Sequence, residues 1–325
     1  MSEREKLVQI DHLSKFFVAS KTMSGKPKRM VKAVEDVTMD IYKGETVGIV
    51  GESGCGKSTL GRSILRLIEP SEGKVIFENT DISTYKKKAM RDMRKKMQII
   101  FQDPYASLNP RMTVCELIRA PLDSFHIGTS AEKLEQVKEI MSYVGLSQEQ
   151  LHRYPHEFSG GQRQRIVIAR ALILRPEFVV CDEPVSALDV SVRAQTLNLM
   201  SDLQEKMGLT YMFISHDLSV VKYISDRIAV MYLGKIVEFT DKTELYENPL
   251  HPYTKALLSA IPVADVNHKM DRIILKGEVP SPFNPPHGCR FNTRCQYATE
   301  RCMSEAPELR KVAPGHYAAC HLLDK

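Results

Sequence analysis

Nothing in these 325 residues approaches the ~18 to 20 consecutive apolar residues that a membrane-spanning helix needs, so no segment is expected to cross a bilayer. The opening MSEREKLVQI is charged from its third residue and has no apolar core of signal-peptide length, so no export signal is expected. Charge of one sign is not in excess either. The net charge is +5, too mild to mark a nucleic-acid binder. No internal repeat or low-complexity tract stands out. These absences argue against an integral membrane protein, a strongly basic nucleic-acid protein and a repeat scaffold.

What remains is the composition of a globular protein, 43% hydrophobic and 26% charged. The length suits one large domain with appendages, or two of ordinary size. One basic run, KKKAMRDMRKK (86 to 96), reads as a solvated helix face whose buried stripe is Ala89, Met90, Met93 and Met97.

From Thr46 the chain reads TVGIVGESGCGKSTLGRSILRL. An apolar run, Val47 to Val50, enters a glycine-rich loop. Apolar residues then recur at helical spacing through Leu60, Ile64, Leu65 and Leu67, which predicts strand, loop and helix. The loop fits G-x-x-x-x-G-K-[ST] over Gly51 to Ser58. Its glycines let backbone amides turn inward around a phosphate, and the following helix offers its positive N-terminus. Gly51, Ser53, Gly54, Cys55, Gly56, Lys57, Ser58 and Thr59 are the candidate nucleotide contacts. Lys57 reaches the outer phosphates and Ser58 offers a hydroxyl to Mg²⁺. Cys55, beside Lys57 and a helix N-terminus, is expected to favour its thiolate.

A second run, FVVCDEP (178 to 184), reads as a buried strand ending in two acids, and a parallel sheet presents such strand ends at its ligand-binding edge. Asp182 is assigned to Mg²⁺ and Glu183 to the base that activates water. A third strand, YMFISH (211 to 216), ends on His216. Cys181 and Cys115 read as small core residues.

Between these motifs lies EFSGGQRQRIVIARAL (157 to 172), which resembles the signature of ABC-transporter ATPases, with Phe158 where leucine is usual. Other motifs match in the family's order: the Q-loop Gln102 before it, then the Asp182–Glu183 pair, the D-loop from Ser186 to Asp189, and the switch histidine His216. The resemblance covers residues 7 to about 245. It implies a P-loop α/β core with an antiparallel β subdomain and a mostly helical arm over 103 to about 175. It also implies that Gln102 contacts Mg²⁺ and joins Glu183 and His216 in catalysis, and that Phe17, rather than Phe16, stacks on adenine. Ser159, Gly160 and Gly161 begin a helical stretch, a natural anion site. By the resemblance they and Gln162 close over ATP held by a partner ATPase. The groove beside DPYASLNPRM (103 to 112) would receive a short permease helix.

The tail, with NPLHPYTKALLSAIP (248 to 262), GCRFNTRCQYATERC (288 to 302) and GHYAACH (315 to 321), resembles the C-terminal extension of oligopeptide and dipeptide importer ATPases, a branch that also handles nickel and some antimicrobial peptides. The organisation expected is an ATPase domain over 1–248 and an irregular, cysteine-bearing extension over 249–325. The resemblance implies peptide import energised at the cytoplasmic face of the membrane. The implied partners are a second, related ATPase, two permease subunits and, indirectly, an extracytoplasmic binding protein, with no nucleic acid. A soluble ABC ATPase acting on nucleic acid or ribosomes would instead bring two cassettes or a long coiled coil. An exporter would more often carry a fused membrane domain.

Cysteines 289, 295, 302 and 320 do not form the C-x₂₋₄-C knuckles of zinc ribbons. In a reducing compartment they would not form a disulfide framework. Proline and glycine surround them, and small irregular regions often close on a metal. Spacing alone leaves iron–sulfur, zinc and free thiols open. His287, His316 and His321 lie near enough in sequence to replace a thiolate. The resemblance favours a 4Fe-4S cluster on the four cysteines.

Overall fold

Three runs read as buried strands are strands: Thr46–Val50, Phe178–Asp182 and Thr210–Ile214. Every residue in them is buried, the mark of parallel strands covered on both faces. The computed structural model describes residues 4–21, 27–261 and 272–324. Its chain divides into two units that interleave along the sequence. One comprises Met1–Leu7, Tyr42–Glu45 and Thr84–Ile214; the other comprises Val8–Ile41, Thr46–Ser83 and Ser215–Lys325.

In the first unit, Phe178–Asp182 pairs in parallel with Met97–Ile100 on one side and Thr210–Ile214 on the other. Helices Val114–Ser124 and Ser130–Tyr143 each begin with a reciprocal capping box, Thr113 with Glu116 and Thr129 with Glu132. The first buries Val114, Leu117, Ile118 and Leu122, spaced as one apolar stripe. The basic run departs from its expected helix. Only Lys87–Met93 is helical, with Met90 buried and Ala89 exposed, because Met97 already belongs to the next strand.

The second unit holds a four-stranded sheet in the order Pro27–Tyr42, Lys6–Lys21, Glu72–Phe77, Thr80–Asp81, the last three pairing antiparallel. It also holds Thr46–Val50, paired in parallel with Arg227–Tyr232. Arg227–Tyr232 forms a hairpin with Lys235–Asp241. The extension, expected to be irregular, adds regular structure here. Strand His316–Ala318 pairs antiparallel with Lys235–Asp241, and Arg310–Ala313 pairs with His316–Ala318. Helix Pro252–Ser259 precedes them. The extension is anchored by aromatics: Phe291 lies 5.3 Å from Tyr232 and 5.4 Å from Tyr253, centroid to centroid, and all three are fully buried. Among the described residues no helix is long and apolar enough to cross a membrane.

One polar clip joins the extension to the hairpin. Glu238, fully buried, lies 2.8 Å from His316 Nε2 and accepts the amides of Leu250 (2.7 Å) and His251 (2.9 Å). Burial would push the Glu238 carboxyl up, but His316, Thr254 and the two amides hold it below its ordinary value of 4.5. Burial would likewise push His316 down, but the Glu238 and Glu244 carboxylates outweigh it and raise the imidazole above 6.5. His251, fully enclosed, is lowered by burial to about 4 and stays neutral, its Nδ1 accepting the Tyr253 amide. The His316 contribution is complete below 6.5 and fades as pH rises through the raised folded value. The Glu238 contribution is complete above 4.5 and fades as pH falls through the lowered one. His251 pulls the other way below 6.5, because the undocked imidazole takes a proton there that the buried one refuses until about 4. Docking of the extension is therefore expected to be tightest near 6.5 and to loosen on both the acid and the alkaline side. Hydrogen exchange at Tyr317 and Ala318, corrected for intrinsic rate, measures it. A flat profile into alkaline pH would assign the docking to packing alone.

Candidate functional site

The phosphate loop lies in the second unit between strand Thr46–Val50 and helix Lys57–Ile64. Its glycines are dictated by space as well as by angle. A Cβ at Gly51 (φ 152°) would stand 2.1 Å from the Met231 carbonyl oxygen, and one at Gly56 (φ 109°) 2.0 Å from that of Ala33. Gly56 starts the helix without a side-chain cap, the arrangement an anion at a helix N-terminus exploits. Ser53 and Gly54 are exposed at the tip, and Ser58 and Thr59 are half-buried in the first helical turn. Lys57 is buried, its ammonium donating to the carbonyls of Gly51 (2.7 Å) and Glu52 (3.0 Å).

Cys55 differs from its sequence expectation. The thiol is buried, and that burial pushes it up from its ordinary value despite Lys57 nearby. A positive neighbour two residues away is visible in a sequence, whereas the desolvation that overrides it is not.

Glu52, unremarked in the sequence, is gripped at three points in this unit. Its amide donates to the Tyr253 hydroxyl (3.0 Å), its carbonyl holds Lys57, and its carboxylate takes both terminal nitrogens of Arg294 at 2.7 and 3.1 Å. Phe17, on strand Lys6–Lys21, is 39% exposed, more than Phe16, which suits stacking on a planar base. His216 is exposed directly after Ser215, whose amide bonds to the Ile49 carbonyl on the phosphate-loop strand.

The first unit brings the proposed catalytic carboxylate and amide together. Asp182 is buried at the end of its strand. Glu183 follows with φ 51°, its amide donating to the Ile214 carbonyl (3.0 Å) and its carboxylate accepting the Gln102 side-chain amide (3.0 Å). A turn into the left-handed region swings this side chain away from the strand direction. The signature residues sit elsewhere in the unit, at the start of helix Gly160–Leu172. Ser159 caps it, accepting from the Gln162 amide (3.3 Å), while the Gln162 side chain accepts the Ser159 amide (3.1 Å). Gly161 has a packing reason of its own, because a Cβ there would meet Val192 at 2.3 Å. Asp189 caps helix Val190–Met207, which carries Val192.

In the extension, none of the four cysteines is in a disulfide. Cys289 is pushed up to about 11, by burial first, although a backbone hydrogen bond from Phe291 eases it. Cys302, Cys320 and Cys295 add smaller repulsions. Cys295 accepts the Tyr297 amide at 3.4 Å, and Cys320 is served in the same way by Leu322. Three of the four sulfurs therefore receive the amide two residues on, a turn that suits a thiolate ligand. As they stand, however, no three His, Cys, Asp or Glu side chains among the described residues close on one point as a metal-holding group. His316 is committed to Glu238, and His321 Nε2 lies 2.9 Å from the Glu305 carbonyl. Those bonds remove two histidines from competition for a ligand role.

Residues 34–186 match the family described as ABC transporter, and residues 237–302 match the oligopeptide/dipeptide transporter C-terminal region. The chain is similar to the oligopeptide transport ATP-binding protein AppF of Bacillus subtilis (strain 168), at 53% identity over 99% of this chain and 98% of that protein. It is 55% identical to a putative peptide import ATP-binding protein of Brucella ovis, over 89% of this chain and 92% of the relative. Among solved structures it is similar to a dimeric, post-hydrolysis state of the ATP-binding cassette MJ0796 bound to ADP and Pi. The TM-score is 0.64 at 28% identity, covering 73% of this chain and 99% of that one.

Proposed function

The chain belongs to the ABC-transporter ATPases, in their oligopeptide/dipeptide branch, and on that footing we propose how its residues do the work. It hydrolyses ATP to energise peptide import. The observation that carries the peptide assignment is the match of residues 237–302, because the extension, unlike the cassette, distinguishes this branch. Under this reading residues 1–248 are the ATPase domain, with the arm over 103–175, and 249–325 the extension.

Phe17 stacks on adenine. Amides of the Gly51–Ser58 loop, with Ser53, Gly54, Cys55 and Gly56, cradle phosphates, Lys57 neutralises their charge, and Thr59 closes the first turn. Hydroxyl, amide and carboxylate oxygens from Ser58, Gln102 and Asp182 are the hard donors Mg²⁺ prefers, and that ion supplies charge neutralisation on the phosphates. Glu183 accepts the proton of the attacking water, oriented by its hydrogen bond to Gln102, and His216 acts with it at the transferring phosphate. Ser159, Gly160, Gly161 and Gln162 serve the ATP of a second, homologous ATPase, which makes the working unit a heterodimer. Two permease subunits, one of them seating a short helix in the groove beside residues 103 to 112, hold the pair at the cytoplasmic face of the membrane, fed by an extracytoplasmic binding protein.

The finer cofactor reading is a 4Fe-4S cluster on Cys289, Cys295, Cys302 and Cys320. It is supported by three amide-to-sulfur turns and two histidines already engaged. Such a cluster, when bound, supplies a structural clip and one-electron redox chemistry. One preparation tests both levels. The chain purified anaerobically from its native membranes is expected to bring a second ATPase and two permeases, with about four irons and four labile sulfides per chain. Recovery alone or with ribosomes would overturn the transport reading. A complete complex free of iron would overturn only the cluster.

A further inference from the structure

The extension reaches the phosphate loop itself, through residues that no known role claims. Arg294 sits one residue before Cys295, with its side chain 8% exposed, and it forks onto Glu52 through two parallel bonds of 2.7 and 3.1 Å. Its guanidinium also stands 5.9 Å from the Tyr232 ring centroid. Tyr253 meets the Glu52 amide, and Arg290 pairs with Glu35, whose own amide bonds to Gly234. Gly234 in turn donates to the Cys55 carbonyl at 2.8 Å. A cavity of about 190 Å³ between loop residues Glu52 to Cys55 and extension residues Val279 to Pro282 separates the two where they do not touch.

Glu52 poses an electrostatic problem that this geometry solves. A carboxylate at the second position of a loop that holds a triphosphate repels its ligand unless a cation neutralises it. Half-buried, it is also poorly served by solvent. Arg294 supplies the cation in the bidentate form that fixes direction as well as charge, which an ammonium would not. Backbone turns carry Arg294 from the thiol-bearing segment: the Cys289 amide bonds to the Cys302 carbonyl at 2.8 Å, and the Arg294 amide to that of Phe291 at 3.0 Å. Anything that rearranges those turns moves the guanidinium.

We infer that Arg294 is a positioning residue of the nucleotide site, and that through its fork on Glu52 the four-thiol extension sets the affinity of the phosphate loop for ATP. This rests on the reading of Gly51–Ser58 as that site. The test is equilibrium binding of a fluorescent ATP analogue to the full chain and its variants. Arg294→Ala is expected to weaken binding about tenfold, inside the roughly 5- to 150-fold span of couplings between sites. Adding Glu52→Gln to it should restore most of the loss, because the repelling charge goes with its partner, a recovery that misfolding would not give. Cys295→Ser should weaken binding in the native background and have no effect in the Arg294→Ala, Glu52→Gln double variant. Lys57→Ala serves as the reference and should abolish binding. Binding by Arg294→Ala equal to the native chain, or a double variant no better than the single, overturns the inference while Lys57→Ala still fails. Normal binding by Lys57→Ala instead removes the phosphate-loop reading beneath it.

Discussion

Glu183→Gln is expected to leave ATP binding intact and slow hydrolysis by roughly 10²- to 10⁴-fold, the contribution of a well-placed general base. The replacement keeps the shape of the side chain and can still accept the Gln102 amide that now meets the carboxylate at 3.0 Å. Only the ability to take a proton is lost. The backbone at Glu183, with φ 51° and its amide fixed to Ile214, has no reason to move. Single-turnover hydrolysis in the assembled complex, beside nucleotide affinity for the same variant, separates chemistry from binding. Near-native turnover would take the base away from Glu183. A parallel loss of affinity would mean that the substitution disturbed the loop rather than the reaction.

Phe291→Ala is expected to undock the extension. Its ring is 1% exposed and packs on Tyr232, Tyr253 and the ring of His251. Truncating a buried phenylalanine costs about 3 to 5 kcal/mol, or roughly two to nearly four powers of ten in the docked-to-undocked ratio. The loss falls on a segment with few other large apolar groups to share it. Limited proteolysis and hydrogen exchange over residues 280–320 should report the release, while strands Phe178–Asp182 and Thr210–Ile214 keep their protection. Unchanged protection of the extension would show that the Glu238–His316 clip and the strand pairing hold it without the aromatic anchor.

The local parts of this protein are legible in its sequence because their causes are local. The phosphate loop announces itself through glycines that no side chain could replace, and the strand ending in Asp182 through an unbroken apolar run. Ser159 and Gln162 are three residues apart and cap one another, as their spacing suggests. What escaped notice depends on distant partners. Glu52 and Arg294 are separated by 242 positions, and neither has a pattern around it that points to the other. Strands Arg310–Ala313 and His316–Ala318 are too short to show an alternation, and the Lys235–Asp241 edge fixes their register. Cys55 misled for a related reason: the sequence displays its cationic neighbour and hides its burial.

Those two short strands also bear on solubility. Without them, Lys235–Asp241 would lie bare along the side that His316–Ala318 now covers, a row of unpaired amides and carbonyls on a run of five buried residues. Such an edge is a template for joining another copy of the same chain. The outermost strand in that position is instead RKVA, which opens with two exposed cations and is four residues long, the kind of border that discourages further pairing. A chain cut off after the ATPase motifs would keep its catalytic residues and acquire an adhesive margin, so the extension guards against self-association whatever its thiols hold.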